Sequence, residues 1–265
     1  MSASVRGRAW FERLTAGAKP IAGLPASVLA ADASIDGHAV RAVAVVPDPN
    51  GRFPRARNGE MGIDEGFGLA TAVNGTPAGS AILAIVDVPG QSFGTREEAV
   101  GLQRALAAST NAYIRARRSG HPVLALVVGK AISGAFLCHG LQAGWIGALD
   151  DAGIEVHVMS EAAVARVTRM ERDDLARVAR EVPATARDIR TFATLGGIDR
   201  LFPVSNPSAP SDADVAAVVH ALTEVLRNPR LGLRDPIERL DAPAALHARA
   251  LARRVRDELR AQWDA

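Results

Sequence analysis

An α/β domain built on parallel strands is the fold the sequence predicts, and three observations predict it. Ala81–Val86 and Val123–Val128 are uninterrupted apolar runs, the pattern of strands buried on both faces. Each run passes through a glycine turn into a segment of helical character. Strand candidates precede and separate helices in the first two-thirds of the chain, whereas helices dominate the last third.

Taken in order, residues 1–37 carry no long periodic element beyond a short helix near Trp10–Leu14, and read as an N-terminal arm. Residues 38–265 then form a single domain, within reach for a chain of 265 residues. His38–Val46 reads as a strand that ends in the turn-rich Pro47-Asp48-Pro49-Asn50-Gly51, followed by a basic loop with Arg52, Arg55 and Arg57. Ile63–Val73 reads as a helix. The first apolar strand ends in Asp87-Val88-Pro89-Gly90. Thr95–Ser119 predicts a long helix: Thr95 and Glu98 suit a capping box, Leu102, Leu106 and Tyr113 share one face, and Gly120 closes the end. His121-Pro122 leads into the second apolar strand, and Gly129-Lys130 turns it toward a helix over Ser133–Ala143. Short strands follow at Trp145–Leu149 and Ile154–Val158. From Glu161 the pattern is helical, broken at Pro183 and over 202–211.

Composition narrows the function classes. The chain holds 51 Ala but only 11 aromatic residues, so its core is made of close-packed small side chains. A net charge of +2, with 29 Arg and only Lys19 and Lys130 as lysines, offers no basic face for nucleic acid. The lone Cys138 excludes an intramolecular disulfide and an all-cysteine zinc site. Val123–Val128 is far too short to cross a bilayer. Ile21–Ala31 is apolar but follows Trp10, Phe11, Glu12 and Lys19, a poor leader sequence, so a cytoplasmic protein is expected.

Stock motifs fail in turn. Leu124 stands where a phosphate-binding loop ending at Gly129-Lys130 needs its first glycine. Gly66-Phe67-Gly68 lacks the third glycine of a dinucleotide fingerprint, no HExxH occurs, and the six His residues are scattered, so no metal site is expected. What remains is the pair of strand–glycine–helix junctions: Asp87-Val88-Pro89-Gly90-Gln91 and Gly129-Lys130-Ala131-Ile132-Ser133-Gly134-Ala135. Helix N-termini expose unpaired N–H groups and a positive dipole end, which suits them to a developing oxyanion, and glycine lets the backbone approach a ligand. The same glycines also serve plain helix–strand packing. Ser133 reads either as a helix cap or as a nucleophile, with His157 as base and an acid such as Asp212. Cys138 reads as a small buried hydrophobe and His139 as an isolated, structural His or a cleft residue.

These segments carry a resemblance. Asp87–Glu98, Gly120-His121-Pro122, Val128–Leu137, His139–Ala143, Ala148–Asp151 and Val156–Met159 together resemble the gamma subunit of biotin-independent malonate decarboxylase, a crotonase-like acyl-CoA carboxyltransferase family. The likeness runs from about Gly59 to the helix around Val215. It implies a superhelix of ββα units of the carboxyltransferase C-terminal-half type. It implies a homologous beta subunit with the active site between the two, plus acyl carrier (delta) and acyltransferase (alpha) subunits. The reaction implied is decarboxylation of a malonyl thioester on the carrier's phosphoribosyl-dephospho-CoA arm, with no cofactor bound by this chain. Gly134 and Ala135 after Ser133, with Gly90 and Gln91, match the positions that donate to the enolate oxygen. His139, a water on Gln91 or a partner residue would return the proton, and Gly129, Lys130 and Gln142 would border the substrate. Two alternatives stand beside this reading: a serine hydrolase similar to the Clp protease catalytic subunit, and a carboxyltransferase subunit of a biotin-dependent malonate decarboxylase.

Overall fold

A computed structural model describes residues 3–263. The chain opens with helix α1 (Arg6–Thr15) and the antiparallel pair β1 (Val28–Ile35) and β2 (His38–Val45). Helix α2 (Ile63–Asn74), strand β3 (Ala81–Val88), helices α3 (Thr95–Val100) and α4 (Leu102–Arg118), and strand β4 (Val123–Ile132) follow. Next come α5 (Ser133–Cys138), β5 (Trp145–Leu149), β6 (Val156–His157), α6 (Glu161–Thr168), α7 (Arg172–Glu181), α8 (Ile189–Thr194) and β7 (Arg200–Phe202). The chain closes with α9 (Asp212–Arg227), α10 (Arg230–Leu233), α11 (Pro243–Ala248) and α12 (Ala250–Trp263).

Seven strands make one sheet in the order β1-β2-β3-β4-β5-β7, with β6 on the far end of β4. Every pair except β1–β2 is parallel. All eight residues of β3 are buried, as the unbroken apolar run predicts. The second run continues past Val128 to Ile132. Because β4 outruns β5, its N-terminal half pairs with β5 (Leu124↔Trp145) and its C-terminal end with β6 (Ile132↔His157). That overhang carries the site.

Four expectations change. Residues 3–37 hold more than the short helix expected in an N-terminal arm: β1 is a sheet strand, and α1 is docked by Trp10, which is fully buried with its Nε1–H donating to Pro207 O at 2.9 Å. The helix expected over Thr95–Ser119 is two helices, because Gly101 takes φ +109° and turns the chain; Gly94, not Thr95, stands at the cap, with no capping box. The helix from Ser133 stops at Cys138 instead of Ala143. In the stretch read as helical, β7 adds a short strand against β5.

Candidate active site

The two junctions lie side by side because β3 and β4 are neighbours. Their register shifts between Val86 and Val88, so that Val88 faces Ala131 and the chain ends splay just before both turns. Gly90 takes φ +139°, a conformation glycine adopts without penalty. It lets Gly90 O accept from Met61 N–H at 2.9 Å, which holds the turn against the loop before α2. From this turn Gln91 reaches across to the second junction, where its Oε1 accepts the Gly134 N–H at 2.9 Å. Gly90, Gln91 and Gly134 therefore converge, with Ala135 buried directly behind.

Ser133 starts α5 at φ +56°, in the left-handed region, an uncommon place for a residue with a Cβ. The cap position belongs to Ile132, so Ser133 is not the helix cap. Its hydroxyl donates to Val158 O in the bend that follows β6. The hydrolase triad is not assembled. His157 Nε2 is engaged by Arg187 Nη2 at 2.8 Å and Glu155 Oε2 at 3.1 Å, and Asp212 is bonded to Arg13 at 2.5 Å, on α1.

Asp87, quoted in the first turn but given no role by the sequence, organises the base of the site. It is 4% exposed; its Oδ1 accepts Lys130 N–H at 3.1 Å, and its Oδ2 accepts Gly7 N–H at 3.1 Å and the Ser4 hydroxyl. Gly129 is glycine for a steric reason, since a Cβ there would run into the Asp87 carboxylate. Lys130 points its ammonium at Glu155, 3.6 Å away. An Asp at the end of an otherwise apolar strand was the signal available for this role.

His139 lies apart from the junctions. It is fully buried, with Tyr113 OH at 2.9 Å from Nδ1 and Nε2 at 3.0 Å from Ile85 O, so Nε2–H donates to the carbonyl and Nδ1 accepts from the phenol. Burial holds its pKa down at about 4 despite the bond to Ile85. A neutral ring with both nitrogens occupied does not deliver a proton to the cleft. Gln142 also stands off, in the turn beyond α5, where its side-chain amide donates to Leu137 O at 2.8 Å and its backbone carbonyl accepts from Arg117 at 2.6 Å. Cys138 is buried, as its surroundings predict, and burial pushes its thiol up to about 12.

Beside Ser133 opens a cavity of about 690 Å³ between β6, α5 and the α6–α7 pair. Its walls are mostly aliphatic, and neither α6 nor α7 contains a fully buried residue. Phe93, Leu137, Val158 and Met159 stand exposed around the junctions, 67%, 52%, 76% and 42% accessible. Among the described residues no group of three or more His, Cys, Asp or Glu is placed to hold a metal, and no helix is long and apolar enough to cross a membrane.

The parallel sheet, with the ends of β3 and β4 side by side, has the fold of the crotonase-like carboxyltransferases. The transcarboxylase 12S core matches at TM-score 0.63 and 21% identity over 86% of this chain and 42% of that one, a likeness of fold. The family model of the malonate decarboxylase gamma subunit matches residues 56–263, and the chain belongs to that family. A Pseudomonas malonate decarboxylase hetero-tetramer in complex with coenzyme A is 48% identical, at TM-score 0.88, over 97% of this chain and 99% of that one. The Pseudomonas MdcD-MdcE hetero-dimer is 46% identical at TM-score 0.84 over the same shares. The malonyl-S-ACP:biotin-protein carboxyltransferase of Malonomonas rubra is 38% identical over 162 residues, 57% of this chain. That match spans only 56% of the relative's own length.

Proposed function

We propose that this chain is one half of a cytoplasmic malonyl-thioester decarboxylase, complete only with a homologous beta subunit. The substrate is a malonyl group on an acyl carrier subunit bearing a phosphoribosyl-dephospho-CoA arm, charged by an acyltransferase subunit; the products are the acetyl thioester and CO₂. The bond from Gly134 N–H to Gln91 Oε1 carries this reading: the amide is turned out of its helix toward a carbonyl oxygen, the geometry a thioester oxygen requires. Loss of CO₂ leaves an enolate whose oxygen gathers charge, and an oriented donor favours that charge over the ground state. In this reading Gly134 and Ala135, with Gly90 and Gln91 opposite, supply such donors, while Gly129 and Lys130 shape the floor through Asp87. The exposed apolar residues Phe93, Leu137, Val158 and Met159 are the face against which the beta subunit closes the site. The coenzyme A complex of the Pseudomonas hetero-tetramer and the cavity beside Ser133 support a long thioester arm as ligand.

The biotin-protein carboxyltransferase relative supports a second reading, in which the carboxyl group passes to biotin instead of leaving as CO₂. One experiment tests both: reconstitute the chain with its beta subunit, supply malonyl thioester, and measure CO₂ with and without a biotinylated acceptor. The first reading expects CO₂ without acceptor from the complex and none from the isolated chain. Substantial turnover by the chain alone would refute the half-site, and turnover that requires biotin would establish the second reading.

A further inference from the structure

The decarboxylase reading leaves His139 without a role, yet the bonds around this residue all bear on α5. Ser109, Tyr113 and Arg117 stand four residues apart on α4 and so share one face. Each reaches the end of α5 or the turn after it. Ser109 Oγ–H donates to Cys138 O at 2.8 Å, Tyr113 OH lies 2.9 Å from His139 Nδ1, and Arg117 Nη1–H donates to Gln142 O at 2.6 Å. All three side chains are buried. From the other side of its ring His139 reaches β3, where Nε2 lies 3.0 Å from Ile85 O.

The direction of these bonds is fixed. A carbonyl has no proton to give, so Nε2 carries the ring proton. Burial holds the His139 pKa at about 4, which leaves the ring neutral near pH 7. Burial, with Cys138 nearby, also pushes the Tyr113 phenol well above its usual range and keeps its proton in place. The phenol is therefore the donor and Nδ1 the acceptor. His139 is a two-ended link between α4 and β3.

What the link holds is short. Helix α5 has six residues, too few to keep a direction without outside contacts. It begins at Ser133, whose φ of +56° persists only where neighbouring structure enforces it. Gly134, which donates to Gln91 Oε1, is the next residue. Cys138, the last residue of α5, stands about 6 Å along the axis from Gly134, so a tilt at the far end is felt at the donor. Ile85 belongs to β3, the strand that runs into Gly90 and Gln91. One imidazole thus ties the end of the second junction to the strand of the first.

We propose that His139 and Tyr113 are positioning residues: the Tyr113–His139–Ile85 link holds α5 against β3 and keeps the Gly134 N–H aimed across the junction, where the reacting carbonyl oxygen is placed. The inference rests on the decarboxylase reading for the group that the amide meets, and on the hydrogen bonds alone for what holds the amide.

The test uses the complex with its beta subunit and two readouts. The first is hydrogen exchange at the Gly134 amide without substrate, measured against the amides of β2, which report overall stability. Tyr113→Phe deletes one oxygen and leaves Nδ1 unmet; it should speed exchange at Gly134 about tenfold relative to β2. His139→Leu breaks both bonds and should speed it further. His139→Gln keeps an amide N–H near the place of Nε2 and should return the rate to within about threefold of wild type. The second readout is steady-state kinetics with malonyl thioester. Tyr113→Phe should lower kcat about tenfold with KM within about twofold, because the enolate oxygen gathers its charge only toward the transition state. Exchange that rises equally at Gly134 and β2, or not at all, would overturn the proposal. So would His139→Gln no better than His139→Leu, or faster exchange with kcat unchanged. If His139→Leu does not assemble, Tyr113→Phe and His139→Gln decide. A wild-type complex that releases no CO₂ would refute the decarboxylase reading, and the exchange rates would still decide whether the link aims Gly134.

Discussion

Replacing Asp87 should cost stability in steps set by its hydrogen bonds. Its two oxygens satisfy two buried backbone amides, Gly7 N–H and Lys130 N–H, each at 3.1 Å, along with the Ser4 hydroxyl. Asp87→Ala leaves both amides without an acceptor, and at roughly 1–3 kcal/mol per unmet buried group the loss is about 2–6 kcal/mol. Asp87→Asn retains one oxygen, so one amide stays paired while the new NH₂ faces the other donor; the loss should be about 1–3 kcal/mol. Urea unfolding at neutral pH measures both, with midpoints ordered wild type, Asn, Ala. Hydrogen exchange should show Gly7 and its neighbours in α1 losing protection first. The activity of the complex should fall as well, because Lys130 N–H sits at the root of the turn that carries Gly134. An Asp87→Ala protein within about 0.5 kcal/mol of wild type would refute the argument, as would an Asn variant no better than Ala.

His139 sets an acid limit. Its folded pKa of about 4 lies below the 6.5 of a free imidazole, so between those values the unfolded chain binds a proton that the folded chain does not. Stability therefore falls as pH drops from 6.5 toward 4, by roughly 3 kcal/mol in all, and the difference between wild-type and His139→Gln melting curves isolates this share. At the junction, Ser133→Ala should keep kcat within about fivefold, since it removes only the bond to Val158 O, worth about 1 kcal/mol. Gly134→Val should lower kcat about 100-fold, because even a Cβ would stand 3.2 Å from Gln91 Oε1 and close the approach to the amide. Abolition of activity by Ser133→Ala in a folded protein would restore the nucleophile. Reversing charge at Arg55 and Arg57, exposed between α2 and β2, should raise KM for carrier-bound malonate and flatten its salt dependence, while malonyl-CoA turnover changes little. Equal damage to both substrates would remove carrier docking from the loop.

What the sequence made legible was what is local. The apolar runs of β3 and β4, the Gly90 turn and the helix from Ser133 are encoded within about ten residues, and with them the placement of Gly90, Gln91 and Gly134, whereas Gly129-Lys130, read as a turn, continues β4 to Ile132. The failures are non-local. Residues 1–37 look featureless because the partners that order them, Asp87, Asp151, Pro207 and Asp212, are distant in sequence. His139 reads as a cleft residue beside a catalytic helix until Tyr113 and Ile85 O are seen to occupy both its nitrogens. Leu102, Leu106 and Tyr113 were read on one face of a helix starting at Thr95, but a left-handed glycine at 101 divides that helix in two. His157 was noticed only as a base. Its setting depends on Arg187, thirty residues later, which no spacing rule reaches.

The docking of α1 also bears on how the molecule assembles. This helix is synthesised well before its partners: Arg6 awaits Asp151, Trp10 awaits the carbonyl of Pro207, and Arg13 awaits Asp212. Closing such long loops is slow, since chain entropy is spent before any contact repays it. Until Pro207 and Asp212 have been made, Trp10 and Arg13 lack the partners that hold the second half of α1 in place. Until then the sheet surface that α1 packs against lacks a settled cover, and exposed apolar surface of this kind is prone to association. The helix is made long before it can be locked.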